Sequence, residues 1–176
     1  MEDFCFIIYS NFFLYFWQKT EDLSISEGIL EAIKHYCAYQ ERCHSEVRNK
    51  LISLKCYGED LEELIGVLIQ ENYLNEERFA TAYAGGKFRI NGWGKLKISQ
   101  HLKAKQVSAY CIKKGLEHID DTAYKNKLLQ LLIKKEEQSM EIKEEWKRKK
   151  KVVQYLLQRG FEIELIQDAW NLRDLP

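Results

Sequence analysis

Apolar residues recur along this chain at three- and four-residue spacing, the period of helices packed on one face. Ile29, Ala32, Ile33, Tyr36, Cys37 and Gln40 trace the inner face of a first helix. Glu41 to Ser45 turns the chain, and Val47, Leu51 and Leu54 point a second helix inward while Arg48, Lys50 and Lys55 face out. Tyr57-Gly58 closes it, and Glu59 and Asp60 open a third helix carrying Leu61, Leu64, Ile65 and Leu68. Asn75, a good N-cap, with Glu76 and Glu77 behind it, opens a fourth helix whose stripe reads Phe79, Ala82, Tyr83 and Gly86. The Asn91-Gly92-Trp93-Gly94 knot breaks that helix, since glycine readily takes the left-handed conformation of a tight turn. A fifth helix begins at Lys95 with Ile98 and Leu102 inside. Ser108 caps a sixth (Cys111, Ile112, Gly115, Leu116, Ile119), and Asp120 and Asp121 cap a seventh (Tyr124, Leu128, Leu131, Leu132). The eighth carries Val152, Val153, Leu156 and Leu157 and stops at Gly160. Phe161, Ile163, Ile166, Ala169 and Trp170 make the ninth, and Trp146 reads as core beside Trp170.

Three segments superpose without gaps: Glu46-Val-Arg-Asn-Lys-Leu51, Lys97-Ile-Ser-Gln-His-Leu102 and Lys151-Val-Val-Gln-Tyr-Leu156. Five positions beyond each leucine stand Cys56, Val107 and Phe161, and five further stand Leu61, Ile112 and Ile166. The period is about 50 residues, in the range of helical arrays. The expected fold is all-α: three tandem three-helix repeats stacked into an elongated, curved array. The expected boundaries are an N-terminal extension over 1–28 and repeats over 29–73, 74–119 and 120–176. The only proline is Pro176, so nothing interrupts long helices.

Composition changes this picture little, but the placement of charge changes it a good deal. Formal net charge is zero, with 27 basic and 27 acidic residues. Glu59, Asp60, Glu62, Glu63, Glu71, Glu76 and Glu77 form an acidic block just before a basic one. That basic run is Lys87, Arg89, Lys95, Lys97, Lys103 and Lys105, with no acid among them. A helix–turn–helix with one basic face suits a negative partner. A bipolar chain is not a simple polycation that binds nucleic acid by charge alone. The Lys134–Lys151 run, mixed in sign, reads as a solvated helix face.

Chemistry-bearing motifs are sparse. There is no Gly-rich phosphate loop, HExxH, GxSxG or usable Ser/His/Asp grouping, which argues against an enzyme. Five cysteines (Cys5, Cys37, Cys43, Cys56, Cys111) lack a framework spacing and read as reduced thiols of a cytoplasmic protein. A zinc site from Cys37, Cys43, His44 and Cys56 has no CxxC pair and is set aside. No metal and no cofactor is expected. Trp93 reads either as a hinge-packing core residue or as an exposed anchor for a partner. His101 reads as partly exposed and not a ligand.

The first twenty residues stand apart. Phe4 to Trp17 is nearly all apolar and aromatic, too short for a comfortable membrane span of about 20 residues. Glu2 and Asp3 occupy the place of a signal peptide's basic region. The expectation is an ill-fitting extension, translated upstream of the true start, with a membrane anchor as the minor alternative.

Four stretches resemble one known family: Tyr39-Gln-Glu-Arg-Cys-His-Ser-Glu-Val-Arg-Asn-Lys-Leu51, Leu74-Asn-Glu-Glu-Arg-Phe-Ala-x-x-Tyr83, Gly94-x-x-Lys-Ile98 with Leu102, and Tyr155-Leu-Leu-Gln-Arg-Gly-Phe161. In this order and spacing, over about residues 29 to 171, they resemble the RecX regulatory proteins. The resemblance implies an elongated stack of three-helix repeats that binds RecA and lies in the groove of the RecA filament on single-stranded DNA. It implies restraint of strand exchange and filament growth, in DNA repair and the SOS response. It implies no enzymatic activity and no cofactor. The partners expected from it are RecA protein and the RecA–ssDNA filament, with a weak direct affinity for DNA beside them. No membrane partner is expected, and the chain is expected to be a cytoplasmic monomer. A plain helix-turn-helix-like DNA-binding module is the alternative. Family members often carry serine three residues before the acid of the first repeat's second helix, and here Cys43 occupies that register.

The resemblance also draws Arg42, Arg48 and Lys50 into the expected partner surface. With the basic run, it comprises Arg42, Arg48, Lys50, Lys87, Arg89, Lys95, Lys97, Lys103 and Lys105. The aromatic N-terminal segment has no place in the repeat. Deleting residues 1–20 should therefore leave helicity and RecA binding unchanged and improve solubility, as checked by circular dichroism and sedimentation; unfolding of the truncated chain would make this segment part of the core.

Overall fold

The computed structural model describes residues 28–173, so the aromatic stretch over 4–17 and the expectations attached to it lie outside the described residues. Among the described residues there are nine α-helices and no strand. They are α1 (28–39), α2 (His44–Ser53), α3 (Gly58–Gln70), α4 (Glu76–Asn91), α5 (Lys95–Ala104), α6 (Ala109–Glu117), α7 (Asp121–Glu137), α8 (Glu145–Gln158) and α9 (Ile163–Arg173). This is an all-α helical-repeat fold. The chain divides into two compact units, one ending at Leu74 and one starting at Asn75.

In the first unit, Ile33 and Cys37 of α1 meet Val47 and Leu51 of α2 and Leu61, Ile65 and Leu68 of α3. Cys56 and Leu74 close the cluster from the turns. Each large aliphatic side chain fully buried here contributes roughly 1.5–3 kcal/mol. Cys43 stands at the N-cap of α2, where its N–H donates to the Glu46 carboxylate at 3.4 Å. Its Sγ lies 3.2 Å from the Ser45 hydroxyl. The Cys43–Glu46 pairing works as a capping box with sulfur in serine's place.

The sequence repeat is a backbone repeat. After Leu51, Leu102 and Leu156, all fully buried, the fourth residue takes the left-handed conformation: Lys55 (φ 63°), Gln106 (φ 62°) and Gly160 (φ 86°). The next residue then donates its N–H back to the leucine carbonyl: Cys56 at 3.1 Å, Val107 at 3.1 Å and Phe161 at 3.2 Å. Those three residues are buried, and so are Leu61, Ile112 and Ile166 five positions on. A Schellman cap thus ends the middle helix of each set and turns an apolar residue into the core. The first of these turns falls earlier than Tyr57-Gly58. Lys55 makes it, and Tyr57 becomes the N-cap of α3.

In the second unit α4 lies against α6 at backbone distance. A Cβ on Gly115 would sit 2.7 Å from the Ala80 carbonyl carbon. That contact corrects the stripe read from the sequence. The buried face of α4 is Phe79, Ala80, Ala84 and Phe88, whereas Ala82 is exposed and Tyr83 and Gly86 are half-buried. Small residues go inward because only they admit α6 so closely.

Two further expectations are corrected. Trp146 is 64 % exposed, roughly a third of a turn away from the inward Val152–Leu156 stripe of α8. Leu157 is 45 % exposed, next to that stripe and not in it. Trp170 is buried as expected.

Helices α7–α9 lock onto α4–α6 through glycines. A Cβ on Gly94 would overlap the Gly160 carbonyl, and one on Gly160 would overlap the backbone of Lys97. Gly94 donates to the Arg159 carbonyl at 2.8 Å and Leu96 to the Gly160 carbonyl at 3.1 Å. Lys95 N–H donates to the Tyr124 hydroxyl at 2.9 Å, which donates onward to Glu162 at 2.7 Å. Burial pushes the Tyr124 phenol well above its usual range. Its ring packs 5.8 Å from Phe88 and 5.2 Å from Phe161, centroid to centroid.

The three caps respond differently to substitution. Gly160→Ala meets both the left-handed strain and the Lys97 backbone, and should cost roughly 3 kcal/mol or more. Gln106→Gly relieves left-handed strain at a cost in unfolded-state freedom, and should stabilise by about 0.5 kcal/mol. Urea denaturation of the two variants checks both signs.

Candidate partner-binding surface

The geometry of the basic corner follows from how α4 ends. Asn75 caps its start, accepting the Arg78 N–H at 2.9 Å. At its end Gly92 (φ 62°) reverses the chain, and Gly94 stands at the N-cap of α5. Trp93 lies between them, half-buried, with its ring 4.5 Å from that of His101. The Lys87 ammonium sits 5.1 Å from the Trp93 ring centre and 5.3 Å from that of Tyr83. Lys97 sits 4.8 Å from the Trp93 ring, and Lys105 sits 5.9 Å from the Tyr83 ring. Such contacts contribute about 0.5–1 kcal/mol each at exposed sites, enough to bias rotamers. Three lysines are thereby held on one aromatic corner. Neither Lys87 nor Lys97 has a carboxylate partner among the described residues, although Lys97 Nζ donates to the Gln158 carbonyl at 3.2 Å.

The other three members of the basic run go elsewhere. Lys95 turns to Asp121, with Nζ 2.8 Å from Oδ1 and 4.9 Å above the Tyr124 ring. This pairing holds the Asp121 carboxyl below the usual range. Lys103 is exposed, and with Lys95, Ser99 and Lys113 it borders a shallow hollow between α5 and α6. Arg89 is exposed, its guanidinium folded back along α4 toward Gly85.

In the first unit, the Arg42 guanidinium stacks 4.0 Å from the Tyr36 ring centre, and Lys50 approaches the same ring at 5.8 Å. Arg48 instead forms a two-pronged pair with Glu62, its second prong at 2.7 Å, and the guanidinium holds the Glu62 carboxyl below its usual range. So six of the nine residues keep their charge on offer or resting on a ring (Arg42, Lys50, Lys87, Arg89, Lys97, Lys103), while Arg48 and Lys95 are bound to acids. Lys105 leans on Tyr83 and has a further interaction.

The sequence reading missed Tyr36 and Tyr83 as supports for these cations. It placed both in core stripes, where helical spacing alone cannot tell a core tyrosine from one at the stripe's edge. Tyrosine's polar end, next to lysines three and four positions along, was the available signal.

Nothing at this surface looks like a reaction centre. Among the described residues, no three His, Cys, Asp or Glu side chains gather as a metal site. Cys37, Cys56 and Cys111 are buried, and burial raises their thiols above the usual range. No described helix is long and apolar enough to cross a membrane.

The fold and surface define a class: an all-α repeat protein that displays cations on aromatic rings. Comparison with known proteins narrows it. Residues 75–116 match the family model for "RecX, second three-helix domain" and residues 123–170 the one for "RecX, third three-helix domain". The chain belongs to the RecX family. Regulatory protein RecX of Yersinia enterocolitica is 35% identical over 115 residues, 63% of this chain and 64% of that protein. The Shigella boydii protein of the same name is 26% identical, over 81% of this chain and 90% of its own length. That of Streptococcus sanguinis is 22% identical, and only 52% of it is matched. The chain thus spans about half to two thirds of the length of several curated relatives. The crystal structure of RecX from Lactobacillus salivarius superposes with a TM-score of 0.80 at 23% identity, covering 88% of this chain and 99% of that one.

The two acid-bound cations generate a pH prediction. Glu62 and Asp121 both have folded-state values below their unfolded ones. Their contribution to stability is therefore complete above the unfolded carboxylate range and is lost as pH falls through the folded values, below about pH 4. Both pairs are exposed, so the contribution is small. The urea midpoint should drop between pH 6 and pH 3, and in Glu62→Gln/Asp121→Asn it should drop less.

Proposed function

We propose that this chain binds RecA and its filament on single-stranded DNA and restrains recombinase activity in DNA repair, without catalysing a reaction and without a cofactor. Its relatives carry the name regulatory protein RecX, which supports the regulatory half of this reading. The observation that carries the rest is the corner on α4 and α5, where Lys87, Lys97 and Lys105 are pre-set on Trp93 and Tyr83. A nucleoprotein filament offers phosphates and acidic side chains, and complementary charge there governs orientation and association rate more than final affinity. Cations already held on rings lose less freedom on binding than free lysines do.

The formal neutrality of the chain favours the filament over bare DNA as the main target. Its acidic block repels phosphate, so a partner that presents protein as well as DNA suits it better. Arg42 and Lys50 on Tyr36 would add a second contact of the same kind.

Replacing Lys87, Lys97 and Lys105 with Gln should leave the fold nearly as stable, within about 0.5 kcal/mol per exposed site. Affinity for RecA filaments at low salt should fall by about one to two orders of magnitude, with a shallower salt dependence. Restraint of RecA's ATPase and strand exchange should fall in parallel. A folded triple variant that restrains RecA like the unaltered chain at every salt concentration would move the contact elsewhere, first to Lys147–Lys151. Equal affinity for bare DNA and filament would favour the helix-turn-helix-like DNA-binding alternative.

A further inference from the structure

We infer that Arg159, on the turn between α8 and α9, is a positioning residue for the basic corner on α4 and α5, an assignment that rests on the partner-binding reading of that corner. Arg159 grips both sides of the turn that presents Trp93. Its Nη1 donates to the Asn91 carbonyl at 2.5 Å and approaches the Gly92 carbonyl at 3.4 Å, the last acceptors of α4. A cation there also faces the negative end of the α4 dipole. Its own carbonyl accepts the Gly94 N–H at 2.8 Å, the N-cap amide of α5. One residue therefore bonds the end of α4 with its side chain and the start of α5 with its main chain. Only Trp93 lies between those two points.

The guanidinium itself is fixed from below. It lies 4.8 Å from the Tyr155 ring centre, and its Nε is buried without a partner. A buried, partly unsatisfied guanidinium is a poor way to add stability, because desolvation offsets what the bonds return. It is a good way to fix an angle, because the planar fork bonds two carbonyls in one geometry. The angle between α4 and α5 sets how far Lys87, on α4, stands from Lys97, on α5, across the Trp93 ring. Lys97 is tied to the same turn through the Gln158 carbonyl at 3.2 Å. The third set of helices thus fixes the spacing of cations carried by the second.

The test uses the full chain labelled with 5-fluorotryptophan. The four tryptophan resonances are assigned by single replacements, and Arg159→Gln and Arg159→Lys are compared with the unaltered chain by fluorine NMR before any partner is added. The Trp93 resonance should shift and broaden in Arg159→Gln and return part of the way in Arg159→Lys, while that of buried Trp170 stays in place. In RecA-filament binding, Arg159→Gln should lose about tenfold in affinity with an unchanged salt slope, whereas Lys87→Gln/Lys97→Gln flattens the slope. A Trp93 resonance unmoved in Arg159→Gln overturns the positioning role, even if filament binding falls. A flattened salt slope in Arg159→Gln also overturns it, because the guanidinium would then be a direct contact. If Arg159→Gln does not fold, Arg159→Lys decides: a shifted Trp93 signal supports the role and an unshifted one overturns it. A Trp93 signal that moves while Lys87→Gln/Lys97→Gln leaves filament affinity intact upholds the positioning role and sinks the filament reading instead.

Discussion

The second compact unit depends on satisfying the first amides of α5. A helix leaves its leading N–H groups without partners in its own backbone, and α5 follows a glycine N-cap with no side chain to supply them. Here the next helical set supplies them: the Arg159 carbonyl to Gly94, the Tyr124 hydroxyl to Lys95 and the Gly160 carbonyl to Leu96. That requires main chain against main chain, which is why glycine stands at both Gly94 and Gly160. The aromatic cluster of Phe88, Tyr124 and Phe161 packs around the same joint. Charge display and core packing therefore meet at one place, and the corner with Trp93 is a by-product of that joint.

Much of the fold was legible because burial obeys period. Leu51, Leu102 and Leu156, with their partners five and ten positions on, were placed from spacing alone, and all are buried. The face of α4 was not legible. Its inward residues are small, and a stripe of Ala80 and Ala84 carries no hydrophobic signal to outweigh Tyr83. What selects them is Gly115 of α6, a contact no local pattern contains. Trp146 misled for the opposite reason. A large apolar side chain suggests a core position, but amphipathic bulk at the start of a charged helix rests at the surface with its lysine neighbour, Lys147, 5.5 Å from the ring.

The candidate surface was legible as a count of charges and not as an arrangement. An acid-free run over 87–105 reads as one basic face, yet the fold sends Lys95 to Asp121 and gathers Lys87, Lys97 and Lys105 on two rings. Likewise Arg42 and Arg48 look alike in the sequence, while one rests on Tyr36 and the other is bound to Glu62. Which cation meets an acid depends on neighbours 14 or 26 residues away. Local sequence cannot weigh such pairs.

The joint at Gly160 also has a consequence for synthesis. A chain emerging from the ribosome completes α4 and α5 some 55 residues before it makes Arg159 and Gly160. During that interval the leading amides of α5 have only water to bond, and nothing grips the turn at Trp93. Domains tend to fold as units as they emerge, and here the unit closes only when the α8–α9 turn arrives. A nascent or truncated chain ending before that turn carries every lysine of the corner without the corner, so it presents the charge before it has the shape.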